Sequence, residues 1–307
     1  MYRNLDPSCL GVSGRQSEII ELALTYGFRG LEIDADDFVK RAAKQGVAQA
    51  GRFINSGQLK IGGFDLPVAW RGTEGTFRAN LAAFESGAAV LAEAGARVCH
   101  TAVLPASDDH PYHENFEMHR QRLGQMAAML GKHGIKLGVQ LFAVAERREG
   151  RTYQFIHEAE ALVTLLKSIS EKNLGLVLDT WNWHFGGGTP KLLDTLGRDR
   201  VFSVSVADAP RGTTGTQVVE KQRVLPRVDE QVVDNVGYLK MLREIEFTGP
   251  VTLATHPKAL AGMTREATFQ NSHRSMEELW IAVGLPKVGR PMPVSAGFDE
   301  EDQVRFA

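Results

Sequence analysis

Short apolar runs alternate along this chain with longer stretches whose apolar residues recur at helical spacing. The short runs cover residues 9–12, 30–33, 59–64, 97–103, 136–142, 174–178, 201–207 and 251–254. They are nearly continuous in apolar residues rather than alternating, the pattern of strands covered on both faces. Helical spacing marks residues 17–26, 35–55, 77–94, 115–132, 157–170, 190–196, 235–246 and 265–283. Gly27, Gly95 and Gly134 each follow a helical stretch and precede an apolar run. A left-handed residue closing a helix suits glycine at such joints. Eight strand–helix units in one chain predict an α/β fold: a (β/α)8 TIM barrel, single domain, over residues 1–285. A doubly wound sheet would leave more strands than that fold uses. After Leu285 the pattern fails, and a proline-rich stretch leads into Asp299-Glu300-Glu301-Asp302. Residues 286–307 read as a short C-terminal tail, packed on the surface or against a neighbouring subunit.

Composition narrows the function classes. Of 307 residues, 43% are hydrophobic and 23% charged, with 35 basic against 37 acidic side chains. A nucleic-acid partner is not expected, because a phosphate-tracking surface needs a clear excess of Lys and Arg. No apolar run approaches the ~20 residues of a spanning helix, so no membrane partner is expected either. The N-terminus lacks the apolar core of a signal peptide. Cys9 and Cys99 sit in apolar stretches, which does not support a disulfide framework. These features together predict a cytoplasmic, globular protein.

In a barrel of this kind the chemistry lies at the C-terminal strand ends. Those ends offer Glu32 and Asp34, then Asp65, then His100 with Thr101, then Gln140 with Glu146 beyond it. Further along come Asp179, Asn182 and His184, then Ser205, Asp208 and Arg223, and finally Thr255 and His256. Glu32 reads as a group that fixes the mouth by hydrogen bonds. Trp181 is suited to stacking on a sugar ring or to sealing the rim, and Gly186-Gly187-Gly188 to a loop ending in a Thr189 cap and an N1 proline.

The ordered series Leu137-Gly138-Val139-Gln140, Leu176-Val177-Leu178-Asp179-Thr180-Trp181-Asn182-Trp183-His184, Val204-Ser205-Val206-Ala207-Asp208, Arg223-Val224-Leu225-Pro226 and Gly249-Pro250-Val251-Thr252-Leu253-Ala254 carries a family resemblance. It resembles the xylose isomerase-like TIM-barrel superfamily of sugar isomerases and epimerases, from about Gly11 to Leu285. The resemblance implies a divalent metal held by Glu, Asp, His and Glu at the ends of strands five to eight. Here those positions are Gln140, Asp179, Ser205 and Ala254, and the histidine often found three residues after the aspartate is Asn182. Pro226 is followed by Arg227 where the family has glycine. A neutral amide, a weak hydroxyl and a methyl group replace anionic and imidazole donors, so no metal is expected at that position. The alternative is a rebuilt site for Mn, Zn or Mg from Asp179, His184, Asp208 and His256.

The resemblance implies a small carbohydrate or keto-sugar as partner and proton abstraction next to a carbonyl as reaction. Asp179, Glu146 or His256 is then the expected base, and Arg223 or a protonated His256 the electrophile that replaces the metal. Gln140, Asn182, His184, Ser205, Asp208, His100 and Trp181 are the expected substrate-binding residues. The other reading is a non-catalytic carbohydrate-binding or regulatory barrel. The resemblance also leaves room for a homo-oligomer, with the tail as its arm.

Overall fold

The apolar runs form eight parallel strands: β1 Tyr2–Leu5, β2 Gly30–Glu32, β3 Lys60–Asp65, β4 Val98–Val103, β5 Lys136–Leu141, β6 Leu174–Asp179, β7 Val201–Val206 and β8 Pro250–Leu253. Each pairs with its neighbours in chain order, and β8 closes on β1 with Tyr2 opposite Pro250 and Asn4 opposite Thr252. The structure, a computed structural model, describes residues 1–215 and 218–287. Almost all of the expected tail therefore lies outside the described residues.

Strand burial follows from this closure. Every residue of β6 is buried, because one face meets the barrel interior and the other meets the helices. The enclosing helices are α1 Gln16–Thr25, α2 Ala35–Gln45, α3 Val47–Ala50, α4 Arg52–Ser56, α5 Glu74–Glu93, α6 Tyr112–Gly131, α7 Ala159–Lys167, α8 Thr180–Phe185, α9 Pro190–Leu196, α10 Asn235–Glu244 and α11 Arg265–Ala282. Gly27, Gly95 and Gly134 hold φ values of 75°, 97° and 69°, as their positions between helix and strand predict. Thr189 accepts the Leu192 amide at 3.2 Å and caps α9, with Pro190 in its first turn.

Three differences from the sequence pattern have physical causes. The first strand is not at residues 9–12 but upstream, and Ser8–Leu10 is a 3₁₀ turn. β1 escapes a hydropathy reading because Arg3 and Asn4 are polar yet buried: Arg3 pairs with Glu277 of α11, and Asn4 donates to Glu32 and Thr252 inside the barrel. The expected helix over 35–55 is broken at Gly46, whose φ of 86° no right-handed helix tolerates, and again at Gly51. The short helix α8 was not legible as a separate element. It starts directly from the strand because Asp179 accepts the Asn182 amide as its N-cap.

Candidate functional site

The C-terminal strand ends surround a cavity of about 1040 Å³. A second one, of about 990 Å³, lies between the 208–230 segment and α11. The mouth cavity has two unlike halves.

On the β5–β8 side, Asp179 is the centre of a closed network. Its Oδ2 accepts from Gln140 Nε2 at 2.7 Å, Arg223 Nη2 at 2.7 Å and Asn182 Nδ2 at 3.1 Å, while Oδ1 takes the Asn182 amide at 3.0 Å. Four bonds use up about all the lone pairs that a carboxylate offers. Arg223 also donates from Nε to the Ala254 carbonyl at 2.8 Å, and its guanidinium lies 4.9 Å from the Trp181 ring centre. The Arg223 side chain is only 7% exposed. Burial presses its pKa down, but the carboxylates of Asp179 and Glu220 outweigh that and hold it above the usual arginine value. Two donors are thus spent on the protein, and Nη1 is left with Glu220 Oε2 at 4.0 Å.

The long segment after β7 is held in place so that Arg223 can reach inward. Asp208 and Val224 exchange backbone hydrogen bonds of 3.0 and 2.9 Å, and the His256 amide donates to the Arg223 carbonyl. Asp208 Oδ1 accepts the amides of Ala209, Val232 and Val233, tying the start of the segment to its end. Burial raises the Asp208 pKa, against the pull of these amides. Glu146 is exposed and accepts the Glu220 amide at 2.6 Å, and Arg147 donates to the Glu220 carboxylate at 2.9 Å.

The β1–β4 side is open. Glu32, Asp65 and His100 face the cavity together with Asp6 and Cys9, which follow β1. Cys9 donates its thiol to Asp6 Oδ2 at 3.1 Å, and burial pushes its pKa well above the ordinary thiol value. Glu32 Oε1 accepts from Asn4 at 2.7 Å, and its Oε2 lies 3.7 Å from His100 Nδ1. Gly63 makes this packing possible: a Cβ there would stand 2.4 Å from the imidazole and 2.9 Å from the Glu32 carboxyl. Burial, then the charges of Asp6 and Asp65, push the Glu32 carboxyl well above the usual carboxylate range. Burial lowers His100 to about 4, so this imidazole is neutral near pH 7.

Of the residues expected from the sequence, Arg223, His256, Gln140, Ser205 and His100 line the cavity. Asp179, Asn182 and Trp181 are buried beneath it and support Arg223. Glu146, His184 and Asp208 do not line it; His184 is exposed and meets Phe185 edge-on at 4.9 Å. Asp6, Cys9, Glu220 and Ser203 line it without having been expected. Asp6 and Cys9 were hidden by the late placement of the first strand. Glu220 lies in a segment without periodicity, and no local signal marks it.

The four positions that the family resemblance assigns to a divalent metal do not fit an ion. Gln140 turns its amide nitrogen, not a carboxylate, toward Asp179, Ser205 offers a hydroxyl, and Ala254 contributes only its carbonyl, which Arg223 occupies. Asp179 already carries a cation, the guanidinium. The alternative set Asp179, His184, Asp208 and His256 is not gathered: among the described residues no group of three or more His, Cys, Asp and Glu side chains is set to hold a metal. No helix among them is long and apolar enough to cross a membrane.

Comparison with known proteins agrees with the barrel fold. The sequence profile of the family described as xylose isomerase-like TIM barrel matches residues 20–279. No curated protein matches the sequence. Among solved structures, a xylose isomerase domain protein from Alicyclobacillus acidocaldarius is 22% identical, with a TM-score of 0.81 over 92% of this chain and 99% of that one. The IolI protein with a bound zinc atom is 16% identical, with a TM-score of 0.74 over 91% and 98%. D-psicose 3-epimerase with D-tagatose, from Clostridium cellulolyticum H10, is 13% identical, with a TM-score of 0.71 over 92% and 99%. At these identities the likeness is one of fold.

Proposed function

Since the chain belongs to the xylose isomerase-like TIM barrel family, we propose that it acts on a small carbohydrate or keto-sugar by removing the proton next to a carbonyl, without a metal at Asp179. The observation that carries this reading is the buried Asp179–Arg223 pair at 2.7 Å, which fixes the direction of a guanidinium at the floor of the mouth. The Nη1 arm of Arg223 is the donor left for a substrate oxygen, and a preorganised cation there stabilises the charge that develops on an enolate oxygen. His256 is the second donor. Its Nδ1 accepts the Lys258 amide at 3.1 Å, so the neutral ring carries its proton on Nε2.

Asp179 holds Arg223, and Glu146 holds the segment that carries it. The proton-abstracting group is then Glu32, in its carboxylate form. It lines the cavity, and Asn4 holds its Oε1 at 2.7 Å, which orients the carboxyl beside the substrate space. The name of the epimerase neighbour supports the substrate class.

The test is deuterium incorporation: the protein is incubated with D-fructose or D-tagatose in D2O, and the carbon-bound proton next to the carbonyl is followed by NMR. Exchange that persists in a chelator and disappears in Arg223→Met is the expected result. A complete lack of exchange, with and without Mn²⁺, removes the catalytic reading. The second reading, a non-catalytic carbohydrate-binding barrel, is favoured by the full hydrogen-bond complement of Asp179, and binding without exchange is its outcome.

A further inference from the structure

The charge lining the mouth is one-sided. Among the described residues, six acidic ones line the cavity, Asp6, Glu32, Asp34, Asp36, Asp65 and Glu220, against one arginine and no lysine. That arginine is committed to Asp179. The acidic groups also act on one another: Asp6 and Asp65 raise Glu32, and Asp6 and Asp34 add to the effect of burial on Asp65. Glu220 has Arg147 as partner, but for Asp6, Glu32, Asp34, Asp36 and Asp65 no lysine or arginine lies within ion-pair distance among the described residues. A concave surface of one sign concentrates counter-charged solutes and repels like-charged ones.

A second feature, independent of the acids, points to a ligand. Thr255 is 2% exposed and belongs to the wall of the same cavity, and its hydroxyl has no hydrogen-bond partner among the described residues. The Thr255 hydroxyl oxygen is closed off from solvent as it stands, and leaving it unpaired costs about 1–3 kcal/mol, so a turn of this side chain toward a ligand hydroxyl would be favoured. Cations and hydroxyls are thus both called for within one cavity.

We infer that the mouth takes a polyhydroxylated ligand bearing a protonated amine, the amine on the Asp6–Asp65 side, and that it rejects phosphorylated or carboxylated sugars. The inference rests on the mouth being the carbohydrate site proposed above. It goes further in naming the charge of the ligand.

Cys9 supplies a probe of the potential that needs no knowledge of the sugar, because its thiol lines the cavity while Cys99 is buried. The protein is treated at pH 8.5 with methanethiosulfonate reagents bearing either a trimethylammonium or a sulfonate group. The small fraction of Cys9 present as thiolate attacks the sulfenyl sulfur, a mixed disulfide forms, methanesulfinate leaves, and the thiol proton goes to buffer; the raised pKa slows both reagents alike and cancels in their ratio. Rates are divided by those of free glutathione, and Cys9→Ser gives the background. The cationic reagent is expected to react faster by about tenfold or more at low salt. That preference should fall severalfold in 0.5 M NaCl and in the double variant Asp36→Asn, Asp65→Asn. A ratio near one, or one that favours the anion, overturns the inference.

Calorimetric titration with D-glucosamine, D-glucose and D-glucose 6-phosphate tests the ligand itself. D-glucosamine is expected to bind severalfold more tightly than D-glucose, and the phosphate ester least. No advantage for the amine, including no binding of any of the three, overturns the ligand class. Failure of the deuterium exchange described above would end the catalytic reading and leave both of these measurements unchanged.

Discussion

The two halves of the barrel mouth treat the same kind of side chain in opposite ways. On the β5–β8 side, Asp179 is 2% exposed and each of its oxygens is bonded by the protein. On the β1–β4 side, Asp6, Glu32 and Asp65 line the cavity without a lysine or arginine partner among the described residues. The first half is a rigid structural unit in which a guanidinium supplies the positive charge. The second has ionisable groups still available for a ligand. A polar strand end is therefore not in itself a sign of chemistry, because what matters is whether its hydrogen bonds are already taken.

The comparison is most exposed to failure at Asp179. Asp179→Ala leaves a buried guanidinium without its carboxylate and should cost about 3–5 kcal/mol in urea denaturation. Arg223→Met should cost less, because Gln140 and Asn182 still donate to the carboxylate. If Asp179→Ala cost under about 1 kcal/mol, the closed character of this half would be lost. Next comes Asp208→Ala, which strands three buried or half-buried amides. A loss of about 1–3 kcal/mol is expected, with faster proteolysis of the 208–233 segment as the local readout.

The open half predicts two opposite pH effects. His100 has its folded pKa lowered to about 4, so the unfolded chain takes up its proton first as pH falls from about 6.5. The stability that His100 contributes is present above pH 6.5 and is lost as pH drops toward 4. His100→Asn should flatten the stability profile over that window. Glu32 has its folded pKa raised, so its ionisation is resisted by the fold, and its contribution is lost as pH rises above the ordinary carboxylate range. Glu32→Gln should therefore reduce the decline in stability on the alkaline side. Denaturation midpoints from pH 4 to 9 check both, and parallel profiles for wild type and variants would contradict both.

The smallest effect belongs to the open half as well. Asp65→Asn removes a charge with no hydrogen-bond partner among the described residues and should change stability by less than about 0.5 kcal/mol. A cost near that of Asp208→Ala would mean that Asp65 is a structural group and that the two halves are more alike than their geometry indicates.

Much of the barrel was legible in the sequence because strands buried on both faces leave continuous apolar runs and helices end at glycines. Seven of the strands lie where those runs predict, whereas β1 was missed because Arg3 and Asn4 are buried polar residues satisfied by Glu277, Glu32 and Thr252, far away in the chain. The same displacement hid Asp6 and Cys9. The candidate site was legible as a set of residue types at strand ends, and Gln140, Ser205 and Ala254 could be read at the positions that the resemblance assigns to a metal. Nothing local distinguished Glu146, which faces away from the cavity to hold Glu220, from Glu32, which lines it.

By itself, then, the sequence determined the eightfold repeat, the family and the residue types at the positions that the resemblance assigns to a metal, because those depend on residue identity and spacing along the chain. Only the tertiary structure decided that Arg223 turns in to neutralise Asp179, and that the carboxylates after β1, β2 and β3 share one cavity with no lysine or arginine partner among the described residues. Those properties depend on distances between residues up to 44 positions apart in the Arg223–Asp179 pair and more across the β1–β8 seam. Charge and hydrogen bonding act through space over a few ångströms, and it is the closure of the barrel that brings these groups within that range.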